Sequence, residues 1–175
     1  MLAFIFYFFV FPQVLHGSLP ALDEVRTQFV QSVEDSDKAK DLYDKLDNEK
    51  ASSNSLYLGY FGATEALLAK HHWNPYKKLD YLAKSQKTLQ RAISKSPNNL
   101  ELRFLRFSIQ HYIPTFLGQS KNLAEDRDVI LKELSASNYA ESDKPVVKNV
   151  VNFLIQSKRC SDEQNAFLKR FVQGI

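Results

Sequence analysis

From Leu19 to the C-terminus, apolar residues recur at intervals of three and four and almost nowhere alternate with polar ones at a period of two. That spacing calls for amphipathic helices and leaves no run suited to a half-buried sheet strand. The punctuation agrees. Asn74-Pro75 reads as an N-cap followed by proline at the first helical position. Pro97 and Pro114 stop the segments that precede them. Ser161 with Gln164 has the spacing of a capping box, and Ser142 with Pro145 marks another start. Ser36 is placed to cap an early helix, and Asn98 with Glu101 to form a capping-box-like pair on a later one.

Helical segments are therefore expected near 21–33, 37–48, 55–70, 75–96, 98–113 and 115–134, with a seventh from about 142 and an eighth at about 161–172. "KASSNS", 50–55, reads as a polar joint. "VVKNVVNFL", 146–154, is β-branched enough to leave a strand as an alternative there. Gly59 and Gly62 lie inside the third segment, where glycine costs about 1 kcal/mol against alanine. Close approach of a neighbouring helix would offset that. The fold class is all-α, with antiparallel helix pairs stacked in a TPR-like α-α superhelical arrangement over a single domain, 19–175.

With 175 residues, 5 glycines and 6 prolines, the chain can build a real core and is not disordered. The net charge of +3 comes without a block of like charges, so a nucleic-acid partner is not expected. The single cysteine, Cys160, excludes an intrachain disulfide and any paired-cysteine metal motif. Residues 1–18 open with an apolar run, Leu2 to Val10 and on to Leu15, too short to span a bilayer comfortably. The run suits the h-region of a secretory signal followed by small residues Gly17 and Ser18, although no Lys or Arg precedes it. Export is expected, to the periplasm or outside the cell, with an uncleaved N-terminal anchor as the alternative and no other membrane contact.

Leu89, Ala92 and Pro97 have the spacing of the second-helix half of a tetratricopeptide repeat, with Ser85 at its earlier alanine position. The first-helix half of that motif is missing. Residues 74–131, "NPYKKLDYLAKSQKTLQRAISKSPNNLELRFLRFSIQHYIPTFLGQSKNLAEDRDVIL", resemble a family of small secreted or periplasmic helical proteins of Bacteroidetes-type bacteria. The resemblance implies location and a helical fold and names no catalytic residue.

The segment around "RFLRF", 103–107, carries the main candidates. On a helix, Asn99, Arg103, Arg106 and Gln110 fall in one polar stripe. Leu100, Phe104 and Phe107 flank it on one side, and Leu102, Leu105, Ile109 and Ile113 on the other. Glu101, Ser108 and Tyr112 lie opposite. Two apolar faces predict a helix with neighbours on both sides, its polar strips facing a concave surface and an outer edge. The stripe then either lines a groove for an acidic peptide, carboxylate or phosphate, or pairs with Glu125, Asp126 and Asp128 of the next helix.

His71-His72-Trp73 reads as a polar helix end closed by packing of Trp73, since adjacent histidines on a helix diverge too far to share one metal. Tyr57 and Tyr60 belong either to the core or, with Phe61, to a groove. No nucleophile motif, glycine-rich phosphate loop or zinc-protease motif occurs. Cys160 lies at a helix start, where a thiolate would gain from the dipole. The expectation is a non-catalytic exported helical-repeat protein, without cofactor or metal, that binds a protein or peptide. Its binding residues are drawn from Asn99, Arg103, Arg106, Gln110, Tyr60 and Trp73. The alternative is a small-molecule or lipid-binding protein with an Arg-rimmed cavity.

Overall fold

The structure, a computed structural model, describes residues 19–118, 120–139 and 144–175. The N-terminal run and Ser142 lie outside these. The described residues form nine α-helices: α1 (Leu22–Ser32), α2 (Ser36–Leu46), α3 (Glu49–Ser53), α4 (Ser55–His71), α5 (Pro75–Lys95), α6 (Leu100–Tyr112), α7 (Leu123–Ser135), α8 (Lys144–Ser157) and α9 (Asp162–Gln173). A 3-10 turn, Thr115–Leu117, sits between α6 and α7. No strand occurs among the described residues.

The starts of α2 to α6 and of α9 follow capping polar side chains, whereas α1 starts after Ala21 and Asn122, before α7, makes no side-chain cap bond. Asn74 Oδ1 accepts from the amides of Tyr76 and Lys77 at the start of α5, with Pro75 as its first residue. Ser161 and Gln164 form the expected capping box on α9. Elsewhere the caps shift by one residue. Asp35, not Ser36, caps α2, its Oδ1 accepting from the amides of Asp37 and Lys38. Asn99, not Asn98, caps α6. Glu101 does not complete a box there, because two donors from other helices hold its carboxylate.

Three segments depart from expectation. The polar joint contains a short helix, α3, because Asn48 caps Ala51 and Ala51 is buried. The sixth segment does not run from 115: Gly118 takes a left-handed φ of 64°, which breaks the chain before α7 begins. "VVKNVVNFL" is helical, because Val147, Val150, Val151 and Leu154 recur at three, one and three and all face the core. Burying each is worth roughly 1.5–3 kcal/mol, well above the propensity deficit of a β-branched residue.

α6 joins two apolar clusters. Leu100 and Phe107, with Phe104 beside them, pack against α7, α8 and α9 through Ile130, Leu134, Val150, Leu154 and Leu168. Leu105, with Ile109 beside it, packs against α1, α2, α4 and α5 through Val25, Leu42, Ala63 and Leu89. Leu102 joins Leu58, Ala92 and Ile93. The two apolar faces read from the sequence thus meet two different sets of helices.

α4 touches α1, α2, α3, α5 and α6, and is apolar nearly all round, as a central helix must be. Its glycines serve close approach. A Cβ on Gly62 would lie 3.0 Å from the backbone nitrogen of Leu89, and one on Gly59 would lie 2.2 Å from Leu102 Cδ2. Leu89 is part of the α5 backbone and cannot step aside. Gly62→Ala is expected to cost up to about 2 kcal/mol by urea denaturation, overpacking of about 1–3 kcal/mol less about 1 kcal/mol of propensity gained. A more stable variant would show that α4 and α5 can separate freely.

Candidate functional site

The polar stripe of α6 lies buried at the junction with α7. Arg106 grips Asp126 with both branches of its fork, Nε donating to Oδ2 at 2.7 Å and Nη2 to Oδ1 at 2.6 Å. Its Nη1 donates to Gln90 Oε1 of α5 at 2.7 Å. Arg103 Nη1 donates to Glu125 Oε1 at 2.5 Å and Asp126 Oδ1 at 2.9 Å, and its Nε to the carbonyl of Pro97 at 2.6 Å. Gln110 Oε1 accepts the amide of Asn122, the residue just before α7, at 3.0 Å. Asn99 caps its own helix through the amide of Leu102. Both acids stand in the first turn of α7, where the helix dipole also favours negative charge.

Only 6% of Arg103, 3% of Arg106 and none of Asp126 is exposed. Of the two destinations the sequence left open, a ligand groove or the acids of the next helix, the stripe takes the second. It faces a neighbouring helix, because two unpaired guanidinium groups inside a helix stack would be far costlier than a paired set. The residues drawn on for binding thus meet a packed junction: Arg103, Arg106 and Gln110 hold α6 to α7, and Asn99 caps α6 itself. An Arg-rimmed cavity finds no support in their geometry. Asp128, the third expected acid, instead pairs with its neighbour Arg127.

The opposite strip of α6 holds a second buried network that the sequence reading missed. Glu101, 1% exposed, accepts from Arg26 Nε at 2.8 Å and Nη2 at 2.7 Å, and from the Tyr60 hydroxyl at 2.6 Å. Arg26 comes from α1 and Tyr60 from α4, 75 and 41 residues away in sequence, so no local spacing announces them. The bonds to Glu101 hold the Arg26 guanidinium above its ordinary pKa. Burial first, then the charge on Glu101, pushes the Tyr60 phenol up. Tyr60 is therefore a core residue and not a groove wall. Tyr57 is half buried, its hydroxyl donating to the carbonyl of Pro20.

The histidines go to separate places. His71 Nε2 meets the carbonyl of Ser32, His72 Nδ1 accepts the amide of Asn74, and His111 Nδ1 accepts from Arg159 Nε. Burial first, then Arg159, lowers the pKa of His111. Trp73 does not close the helix end: it is 85% exposed, its ring 6.3 Å from that of His72. Cys160 is half buried in the loop before Ser161, and burial raises its pKa, so it is a thiol and not a helix-stabilised thiolate.

A third polar group lies between α4 and α5. Glu65 is buried, bonded to the side chain of Thr88, and its Oε2 has no hydrogen-bond partner among the described residues. Ser85 Oγ is likewise buried without a partner. Burial raises the pKa of Glu65. It is the only charged residue between Lys50 and Lys70, a signal that could have marked it from the sequence. Around it, Tyr43 of α2 stacks on Phe61 of α4 with ring centroids 4.9 Å apart. The Tyr43 phenol is raised by burial and by the negative charges of Asp47 and Glu65, with Tyr81 and Lys84 also in its field. Tyr43, Phe61, Leu68 and Tyr81 are all half exposed. Tyr43 and Phe61 stack where α2 meets α4, and Leu68 lies seven residues further along the same face of α4. No family model, curated protein or solved structure matches this chain.

Proposed function

We propose that the chain is a non-catalytic, exported helical-repeat protein that binds a protein or peptide, its helix pairs following a TPR-like superhelical course with α4 on the inner face. The observation that carries this reading is the half-exposed apolar stripe of α4 beside Glu65. Such stacks bind extended ligands along the inner helices. α4 is buried nearly all round, yet Tyr57, Phe61 and Leu68 form a half-exposed stripe beside the unpartnered oxygen of Glu65. Rings suit the apolar side chains of a peptide. A lysine or arginine of that peptide would satisfy the carboxylate, which otherwise bears the penalty of burial. The export part of the reading rests on the apolar run at 2–15.

Glu65→Gln is the test. A buried carboxyl with a raised pKa favours its protonated form in the folded state, so its charge destabilises the fold once pH exceeds that pKa, and not in acid below its unfolded value. The variant is expected to melt higher than the parent at pH 8 and at the same temperature at pH 4. In a pull-down from the native envelope fraction, followed by titration of the captured protein, it is expected to lose the partner while remaining folded. Retention of that partner at parental affinity by both Glu65→Gln and Tyr43→Ala would overturn the reading.

A further inference from the structure

Large apolar side chains are left in water on the turn between α4 and α5 and on the first turns of α5. Trp73 is 85% exposed, Tyr76 82% and Leu79 47%, and Tyr112 and Phe116 are also exposed. α5 runs antiparallel to α4, with Ser96 meeting Ser55. α6 runs antiparallel to α5, with Arg106 meeting Gln90. The α4–α5 turn and the end of α6 therefore share one end of the molecule. Six residues past Arg106, Tyr112 lies level with Lys84, so the first turns of α5 project beyond α6. Residues 75–80 are exposed on every side.

The charge on this projection is one-sided. Residues 75–87 carry Lys77, Lys78, Lys84 and Lys87 against Asp80, which pairs with Lys84 at 3.1 Å. Nearby, Lys70 is paired with Glu34, and Lys78 Nζ donates to the carbonyl of Lys70 at 3.4 Å. Lysine is depleted at protein interfaces, and two copies meeting here would bring their lysines together. Exposed Trp and Tyr flanked by Lys is instead the composition of a membrane–water interface.

We propose that the α4–α5 end docks on the surface of an anionic membrane, with Trp73 and Tyr76 at headgroup depth and Lys77 and Lys78 on lipid phosphates. The contact lies in the interface plane: no helix among the described residues is long and apolar enough to cross a membrane. Pro20 lies at the other end of α4 from this contact. The Tyr57 hydroxyl, in the first turn of α4, bonds the carbonyl of Pro20, whereas Trp73 follows the other end of that helix.

Trp73 is the only tryptophan, so its emission reads this site directly in the full chain. Vesicles of neutral phosphatidylcholine are compared with vesicles carrying about one-third phosphatidylglycerol. The expected result is a blue shift, and quenching by lipids brominated on the chain, with the anionic vesicles only. Both effects weaken as salt is raised. Lys77→Glu with Lys78→Glu is expected to lower partitioning by about tenfold or more while circular dichroism is unchanged. Unchanged Trp73 emission on both vesicles overturns the proposal, even if the chain sediments with them through its N-terminus. An equal shift on neutral vesicles overturns it as well. A shift that depends on protein concentration without lipid, with a dimer by light scattering, assigns the surface to a second copy instead.

Discussion

Asp126→Ala is expected to destabilise the protein by about 3–5 kcal/mol, since it leaves two buried guanidinium groups without their shared partner. Arg106 would lose both bonds of its fork and keep Gln90 and a longer pair with Glu125 at 3.6 Å, and Arg103 would keep the Pro97 carbonyl and Glu125, half exposed at the rim. In a chain of this length that loss corresponds to a melting temperature lower by about 10 °C. Urea denaturation gives the free energy. A companion replaces the whole set: Arg103→Met, Arg106→Met and Asp126→Leu together should recover much of the loss, because an apolar set of similar volume bears no desolvation penalty. A loss below about 1 kcal/mol for Asp126→Ala would mean that water reaches the arginines and the junction is a surface after all. The acid limb of the stability curve carries part of the same network. Arg103 first, then Asn122, holds the Glu125 carboxyl below its ordinary range. Its contribution is present above the unfolded value of about 4.3 and is lost as pH falls through the lowered one.

Glu101→Ala is expected to cost about 3 kcal/mol, from the other side of the same helix. It strands the Tyr60 hydroxyl in the core and frees Arg26, which would keep Asp23 at the surface. Glu101→Gln should fall between the two, because it keeps an acceptor and drops the charge. Thermal melting with parallel urea titrations separates the three chains. The alkaline limb reports this network. With its pKa raised, Tyr60 contributes stability that is fully present below the unfolded tyrosine value of about 10 and declines as pH rises above it. An Ala variant as stable as the parent would mean that α1 and α6 are held by apolar contact alone.

Much of the helix pattern was legible. Asn74-Pro75, Pro97, Pro114 and the Ser161–Gln164 box are local signals, decided within one turn of chain, and they act in the structure as they read. Where two local signals competed, the register was not legible. Asp35 and Ser36, or Asn98 and Asn99, are equally good caps on paper, and the choice follows from which register buries the next leucine and frees Glu101 for its long-range partners. The arginine stripe was legible as a stripe, and its destination was not. Glu125 and Asp126 could be named as partners because α7 follows in sequence. Arg26 and Tyr60 could not, because they arrive from helices far upstream.

By itself the sequence determined that the described chain is helical, that α6 has two apolar faces, and that Arg103 and Arg106 share one polar strip between them. Those properties follow from periodicity, which needs only neighbours three and four residues apart. The tertiary structure decided what each strip meets. It buried the arginine strip of α6, and Glu101 of the opposite strip, in ion-pair networks, left one oxygen of Glu65 without a partner among the described residues, and put Trp73 in water. The reason is that burial and charge pairing depend on which helix lies alongside, and that is a property of the whole packed chain.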